Sequence, residues 1–381
     1  MRPPWDVVWL SDIPWTGLWQ RPQQLAVRFP DEARILFVEP LTLGHPPALR
    51  PVAVTPRVQR VSFPFLPLHA RSLRLRRLAY RAGDSALAAG ALFAVQRGWA
   101  AALRGFGRRG VRRLALVQNF LGRPSLAAWR PERVVYDMID APLHFAPVPP
   151  RLVPQWESLL READDVAVTS GTLAALAVAG GARSPRLIGN GVEAARFEQA
   201  APAVLPGDPS APVLGYVGSI HSWFDLPLVR ALASALPRAR VVLVGPAHPA
   251  LEAALRDAAL ATPNLHWMGP RPYAEVPGIV RAFRVGLIPF LRTPLTEAVN
   301  PVKLYEYAAA GVPCVTTRFS DEVDAWGEAA HVAGDADTFV RHAVALLETP
   351  APAASLLAFA RRHDWSAIAE TFVDLCLGKA A

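Results

Sequence analysis

The sequence predicts an α/β protein made of two doubly wound units, each a parallel sheet covered by helices on both faces. Short apolar segments alternate with helical segments along nearly the whole chain of 381 residues, a pattern typical of parallel sheets. The apolar segments end in polar or glycine-rich residues, where such sheets bind ligands. Residues 198–212 are rich in Ala and Pro and have no periodicity. We therefore predict domains at 1–197 and 213–363, joined by a linker at 198–212.

The individual elements follow from the apolar pattern. In the first domain we predict strands at residues 5–10, 34–40, 58–63, 113–119, 133–140, 164–170 and 186–192, a helix start at 20–26 and a helical region from about 71 to 105. In the second domain we predict strands at 213–219, 240–246, 265–270 and 285–290. Helices are predicted between them at 226–236, 248–260 and 273–283, and again near the end of the chain from 337 onward.

Composition restricts the class of protein. The chain is 52% hydrophobic and 19% charged, which favours a globular fold over disorder. It has no apolar run of about 18 residues or more, and residues 1–6 lead into a strand without a signal-peptide core. Cys314 and Cys376 are the two cysteines, so we expect neither a disulfide framework nor a metal site. We expect a cytoplasmic protein.

The net charge of +8 allows two kinds of partner, nucleic acid and an anionic membrane surface. Residues 71–81 alternate Arg with Leu at helical spacing, which indicates either a basic amphipathic helix for a membrane surface or an Arg-rich solvated face. Both interpretations stay open. Nucleic acid is not expected, because no recognised binding motif accompanies the charge.

The most informative stretch is residues 300–317. Asn300 suits a helix N-cap, Pro301 the first helical position, and Gly311 the helix end before a buried strand. A helix N-terminus favours a phosphate, Lys303 adds a full positive charge, and Glu306 lies on the same face one turn on. The pattern predicts a nucleotide-diphosphate site.

The alternative is an ordinary surface pair of Lys303 and Glu306. Of the 40 basic residues, 38 are arginines, and the lysines are Lys303 and Lys379. A chain that uses Arg almost everywhere has a compact ammonium at this position, which suits a point charge on phosphate. We therefore favour the phosphate site.

In these residues the chain resembles glycosyltransferases of the GT-B fold, close to glycosyltransferase family 4. The similarity is strongest in residues 303–313 and extends to the Gly218 loop, to 241–246 and to 267–269. Residues 17–26, 37–40 and 136–140 are similar to a bacterial subgroup of teichuronic-acid-type cell-surface transferases.

The resemblance implies two Rossmann-like domains facing a cleft, with residues 364–381 crossing back to the first domain. Glu306 would hold the donor ribose, and Gly17 would be a tight turn near the donor phosphates. The diphosphate would meet the helix start at Asn300, Pro301, Val302 and Lys303, and the segment from Gly269 to Arg271 would border the base. It also implies retention of anomeric configuration, no essential metal and no cofactor, since the nucleotide sugar is a substrate.

Two departures from the family pattern affect the donor site. The family pattern has a second Glu separated from Glu306 by seven residues, and that position is Ala298 here, so Glu297 could contact the sugar only after a loop shift. The basic positions of the Gly218 loop are Ser219 and Phe224. The diphosphate charge would then rest on Lys303 and the helix dipole, with Arg21, Arg292 and His221 as further candidates.

Asp137 and Asp140 end a predicted strand, with His144 just after. One interpretation is that an aspartate, Asp140 above all, takes the proton of the acceptor hydroxyl. The alternative is that the two aspartates only cap the turn that follows the strand.

We predict a glycosyltransferase that moves a sugar from a UDP- or GDP-linked donor to a cell-surface glycan, lipid-linked or small-molecule acceptor. The alternatives are a nucleotide-sugar epimerase and a non-catalytic scaffold.

Overall fold

The computed structural model describes residues 4–16, 19–41, 46–63, 65, 73–145, 147–349 and 352–379. The chain divides into two compact units, of which unit 1 comprises Met1–Gly189 and Ile368–Ala381, and unit 2 comprises Asn190–Ala367. Each unit has its own largely parallel sheet with helices. The predicted fold class, an α/β protein with two parallel-sheet units, is confirmed.

The sheet of unit 1 has the strand order β3-β4-β2-β1-β5-β6-β7-β8 and is parallel except for the antiparallel pair β3 and β4. Its strands are β1 (Trp5–Leu10), β2 (Ala33–Pro40), β3 (Val52–Ala53), β4 (Val58–Phe63), β5 (Arg112–Val117), β6 (Arg133–Met138), β7 (Asp165–Val168) and β8 (Arg186–Leu187). Strands β2 to β4 lie on one side of β1, and β5 to β8 lie on the other. The topological switch point is therefore between β1 and β5.

The helices of unit 1 are α1 (Arg21–Ala26), α2 (Leu73–Asp84), α3 (Ala86–Ala102), α4 (Leu126–Trp129), α5 (Pro142–Phe145), α6 (Val153–Glu162) and α7 (Gly171–Ala179). The predicted helical region 71–105 is thus two helices within the described residues. It divides at Ser85, whose hydroxyl accepts a hydrogen bond from the Ala88 N–H at 3.3 Å, as an N-cap residue does.

The sheet of unit 2 is fully parallel, in the order β11-β10-β9-β12-β13-β14. Its strands are β9 (Val213–Val217), β10 (Arg240–Val244), β11 (Leu265–Trp267), β12 (Val285–Ile288), β13 (Cys314–Thr317) and β14 (Ala330–Ala333). The switch point lies between β9 and β12, where open α/β sheets bind ligands at the carboxyl ends of the strands.

The helices of unit 2 are α8 (Ala194–Glu198), α9 (Leu226–Ala235), α10 (Pro249–Ala261), α11 (Val276–Arg281), α12 (Val302–Ala309), α13 (Ala336–Glu348) and α14 (Ala353–Arg362). In the part of the chain that is described, no single helix could span a membrane; α13 and α14 pass that test only as a pair, across a bend of 112°.

Helix α12 is fixed against the switch point by one aromatic side chain. The Tyr307 ring lies directly on Gly286 of β12, where an added Cβ would overlap it. The Tyr307 hydroxyl donates to the Leu287 carbonyl and accepts from the Val217 N–H, both at 3.2 Å. The residue therefore ties α12 to the ends of β9 and β12. At its other end the helix closes at Gly311, with φ of 69°, as predicted.

The boundary between the units falls after Gly189, earlier than the predicted linker at 198–212. Val192 and Phe197 are fully buried in the core of unit 2. The Val192 N–H donates to the His363 carbonyl at 3.0 Å, and the Ala194 N–H donates to the Asp364 carboxylate at 3.0 Å. These contacts join residues far apart in the chain, so the local composition did not indicate them.

The last helix, α15 (Trp365–Cys376), begins in unit 2 and ends in unit 1. In unit 1 the Phe372 ring stacks on Trp9 of β1, with centroids 6.3 Å apart. The segment assigned to unit 1, from Ile368 onward, is close to the predicted 364–381.

Candidate functional site

Helix α12 begins at Val302, with Pro301 as its N-cap and no capping side chain. The Asn300 oxygen accepts hydrogen bonds from the Asn190 backbone N–H and the Tyr305 hydroxyl, each at 3.0 Å. The predicted N-cap role of Asn300 is therefore wrong, because other donors occupy its oxygen. The first turn of α12 lacks a side-chain acceptor for its N–H groups, which suits anion binding there.

Lys303 lies at the switch point of unit 2. Its Nζ is 5.3 Å from the ring centre of Tyr216, in β9, and 4.7 Å from that of Phe290, just after β12. Burial lowers the pKa of Lys303 to about 8, and the Glu306 carboxylate acts in the opposite direction. Among the described residues no carboxylate lies within ion-pair distance of this ammonium. Lys303 is half-buried and is thus a partly desolvated cation that is attracted to two rings but not neutralised.

Glu306 is buried one turn along the same helix, with 7% of its surface exposed. Burial raises its pKa to about 7, while Lys303, a hydrogen bond from Tyr273 and the charge of Arg196 all lower it. The Arg196 guanidinium lies 4.8 Å above the Tyr273 ring. Glu306 is therefore a carboxylate poised near neutrality and oriented by Tyr273, which suits it to accept hydrogen bonds from sugar hydroxyls.

Two glycines allow the backbone at the ends of β9 and β10 to approach the site. Gly218 has φ of 146°, and a Cβ there would lie 3.1 Å from the Lys303 Cε. Gly245 has φ of 140°, and its Cβ would collide with the Gly218 carbonyl. Both positions require glycine, because L-residues rarely adopt this φ. Ser219 follows, half-buried, and its carbonyl accepts from the Tyr216 hydroxyl at 2.8 Å.

The predicted base-binding segment lies in the same unit. The Gly269 carbonyl accepts the Gly245 N–H at 2.9 Å, which joins it to the glycine loops. Arg271 is exposed and lines a cavity of about 540 Å³ together with Arg196 and Met268. The Tyr273 ring lies beneath Arg196, which lines this cavity, and the Tyr273 hydroxyl bonds to Glu306. The base-bordering role of Gly269 to Arg271 stays a prediction.

Glu297 points toward an arginine. Its carboxylate pairs with Arg292 at 2.7 Å, and Arg292 also pairs with Asp321 at 3.0 Å. Arg292 is exposed, and solvent screens pairs of this kind, so they do not hold the side chains firmly. Ala298 is fully buried beside Glu297. The sugar-contacting role of Glu297 stays a prediction, and Arg292 is already shared by two carboxylates.

Arg21 is a predicted contact of the donor phosphates; in unit 1 its side chain is held by other groups, and the phosphate role stays a prediction. Its side chain is 3% exposed and pairs with the buried Asp137 at 2.9 Å. Its Nη1 donates to the Gly189 carbonyl at 2.7 Å. Asp137 accepts a further bond from Gln118 at 2.9 Å. All of these partners lie within unit 1, so Arg21 and Asp137 form a structural ion pair.

Asp140 remains as the candidate acid or base of unit 1. It follows β6, is half-buried, and burial raises its pKa to about 7. Asp12 follows β1 and borders the unit 1 switch point. Asp12 is exposed, and partial desolvation of its carboxyl together with the Asp140 charge raises its pKa. The pair can hold or release a proton near neutral pH.

Sequence reasoning missed Asp12, Tyr273 and Arg196. Asp12 could have been found from its place at the carboxyl end of a central strand, whereas nothing local links Tyr273 or Arg196 to Glu306. The predicted turn at Gly17 lies outside the described residues. Across the described ranges, no group of three or more His, Cys, Asp or Glu residues could hold a metal ion, so no residue is assigned to one.

Comparison with known proteins agrees with this geometry. Residues 211–349, which include the Gly218 loop and α12, match the family model "Glycosyl transferases group 1". A teichuronic acid biosynthesis glycosyltransferase of Bacillus subtilis strain 168, TuaH, whose own assignment is provisional, is 29% identical over 226 residues. That match covers 54% of this chain, and the chain spans about half of the relative's length, 55%.

Solved structures resemble the chain over nearly all of its length. Sucrose-phosphate synthase of Thermosynechococcus elongatus has a TM-score of 0.71 at 17% identity, covering 99% of both chains. The Escherichia coli trehalose-6-phosphate protein bound with UDP-2-fluoro glucose has a TM-score of 0.71 at 13% identity, and the match covers 97% of this chain and 98% of that one. Anabaena HepE in complex with UDP has a TM-score of 0.64 at 14% identity, and the match covers 98% of this chain and 100% of that one. At these identities the likeness establishes the fold alone. Residues 211–349 therefore match the glycosyl transferases group 1 family model, and the chain as a whole has the fold of the GT-B glycosyltransferases.

Proposed function

We propose that the protein is a glycosyltransferase that takes its sugar from a nucleotide diphosphate donor bound to unit 2. The observation that supports this most is the arrangement of Lys303 and Glu306 on α12. A desolvated ammonium lies at the uncapped helix start and beside Gly218, and a buried carboxylate lies one turn on. The first suits a diphosphate and the second suits the ribose hydroxyls.

The donor nucleotide in this proposal is UDP or GDP. UDP is the better supported of the two, because HepE and the E. coli trehalose-6-phosphate protein, which share the fold, were solved with UDP or a UDP-sugar. The acceptor is a cell-surface glycan, a lipid-linked sugar or a small molecule. The match to a teichuronic acid biosynthesis protein favours the cell-surface class.

The chemical step follows from the charges of the site. Negative charge develops on the leaving diphosphate as the bond to the sugar breaks, and Lys303 with the N-terminus of α12 stabilises it. Asp140, with a pKa of about 7, takes the proton of the acceptor hydroxyl. Retention of configuration and independence of metal are part of the proposal through the family resemblance.

The proposal places the protein in the cytoplasm, at the inner face of the membrane. Helix α2 exposes Arg74, Arg77 and Arg81, and Leu78 between them is 64% exposed; Arg71 and Ser72 of the predicted segment lie outside the described residues. Basic and apolar side chains together suit an anionic lipid surface. Cosedimentation with anionic but not neutral vesicles is expected, whereas a merely solvated face would bind neither.

Donor binding and hydrolysis test the proposal. We expect UDP to raise the melting temperature of the wild-type protein, since a ligand of the folded state stabilises it by mass action. We also expect slow release of sugar and nucleotide from a nucleotide sugar. Glu306→Gln and Lys303→Met should reduce UDP affinity roughly 10- to 100-fold, the usual range for hydrogen bonds to charged groups.

The control is the melting temperature without ligand. Both substitutions remove a desolvated charge while keeping the side-chain shape, so the unliganded proteins should melt at or above the wild-type temperature. A wild-type protein that binds neither UDP nor GDP would refute the proposal and leave the non-catalytic scaffold. Conversion of the bound nucleotide sugar to its epimer, without transfer, would favour the epimerase.

A further inference from the structure

Two imidazoles lie side by side at the edge of the donor site. His221 follows Gly218 by three residues, and His248 follows Gly245 by three residues. Their ring centres are 4.3 Å apart, with the planes at 69°. The two loops are joined by main-chain hydrogen bonds, since the Ile220 N–H donates to the Pro246 carbonyl at 2.9 Å and the His248 N–H donates to the Ile220 carbonyl at 2.8 Å. The pair therefore extends the ends of β9 and β10 as a fixed unit.

The orientation of each ring is held by a neighbour. The His221 ring stacks on Trp223 with centroids 4.4 Å apart and planes at 21°. The His248 Nδ1 accepts the Ala250 N–H at 3.3 Å, at the start of α10. A neutral His248 with Nδ1 as acceptor carries its proton on Nε2 and can donate from there. The His221 Nδ1 lies 2.9 Å from the Ser222 hydroxyl. Both histidines are half-buried.

A diphosphate needs more donors than Lys303 and the α12 N-terminus provide. The other arginines proposed from the sequence do not meet this need: Arg21 is buried with Asp137 in unit 1, and Arg292 is shared by Glu297 and Asp321. Within the described loop 217–224, Ser219 and Phe224 supply no charge, and His221 is the basic side chain.

His221 is close in the chain to Gly218, the part of the unit 2 switch point that Lys303 approaches. The Lys303 Nζ would be 3.4 Å from a Cβ on Gly218, and His221 lies three residues beyond that glycine. Three residues span at most about 11 Å of chain. A diphosphate and the first sugar together can therefore contact Lys303 at one end and the imidazoles at the other.

We propose that His221 and His248 donate ring N–H groups to the phosphate portion of the nucleotide sugar, as the counterpart of Lys303 across the donor site. This inference rests on the proposed function, because it assigns further residues to the same donor. It assigns His248, which sequence reasoning did not single out, and it explains how a loop without Arg or Lys can hold an anion.

The test uses substitutions that preserve the local structure. His221→Phe keeps the stack on Trp223 but removes both ring nitrogens. His248→Asn keeps an acceptor for the Ala250 N–H, since Asn is a good helix N-cap, but removes the Nε2 donor. The matched control is His342→Phe, because His342 contacts His331 in the same unit with centroids 5.6 Å apart and is not part of the donor site.

Calorimetric titration of the full-length variants measures UDP and, at millimolar concentration, uridine. We expect His221→Phe and His248→Asn each to weaken UDP binding roughly 3- to 10-fold, with uridine binding unchanged and His342→Phe equal to wild type. Wild-type affinity for UDP in both variants would overturn the inference alone. So would an equal loss for UDP and uridine, since that indicates a change of loop shape. A wild-type protein that binds neither UDP nor GDP would overturn the proposed function and this inference with it.

Discussion

Each unit of the protein places a basic side chain and a carboxylate at the carboxyl end of its sheet, and the two pairs differ in whether the opposite charges contact each other. Arg21 and Asp137 of unit 1 lie 2.9 Å apart, at 3% and 0% exposure, and further bonds complete their coordination. Lys303 and Glu306 of unit 2 are desolvated, with pKa values shifted to about 8 and about 7. The closed pair is structural, whereas the open pair keeps its charges available for a ligand.

The largest expected effect tests the closed pair. Arg21→Met leaves Asp137 buried with an uncompensated charge, which costs about 3–5 kcal/mol of unfolding free energy. We expect Arg21→Met with Asp137→Leu to recover most of that loss, because no charge is then stranded. Urea unfolding of the two single variants and the double variant gives the coupling energy. A loss below about 1 kcal/mol in Arg21→Met would mean that Arg21 is not structural and would return it to the list of phosphate ligands.

The open pair should give donor binding a narrow pH range. Below pH 7 Glu306 is protonated, which removes its negative charge and weakens it as an acceptor for sugar hydroxyls, and above pH 8 Lys303 loses its charge. We expect affinity to be greatest between these values and to fall up to about tenfold per pH unit beyond them. The probe is a nucleotide sugar, whose phosphates do not titrate in this range.

Substitutions show which residue causes the loss of donor affinity at each end of this pH range. Glu306→Gln should remove the fall at acid pH, and Lys303→Met the fall at alkaline pH. A wild-type affinity that is flat from pH 6 to 9 would mean that neither charge contacts the donor.

The smallest effect concerns Tyr273. Its hydroxyl hydrogen bonds to Glu306 and lowers the pKa of that carboxyl. Tyr273→Phe keeps the ring beneath Arg196 but should raise the Glu306 pKa and weaken donor binding roughly 2- to 10-fold. If Tyr273 positions Glu306, the fall in donor affinity at acid pH should begin at a higher pH in Tyr273→Phe than in the wild type. Unchanged binding together with an unchanged acid side would assign Tyr273 to packing alone.

Local signals accounted for most of the strands and helices, although not for β3 or β14, and for the position of Lys303 and Glu306 on α12. Gly311 closes α12 where its sequence indicates, and Lys303 and Glu306 share a face because they are three residues apart in a helix. Predictions that depended on distant partners fared worse. Arg21 meets Asp137 116 residues later, and Asn300 meets Asn190 110 residues earlier. A side chain can satisfy its hydrogen bonds across the fold as readily as within its own segment.

The sequence by itself determined the α/β class, the helix with its lysine and carboxylate, and the glycine that ends this helix, since these depend on neighbouring residues and on periodicity. The tertiary structure decided which charges are free. Burial and pairing are properties of the packed sheet: they closed the Arg21 pair, left Lys303 between two aromatic rings, and brought His248 beside His221 and Tyr273 beside Glu306.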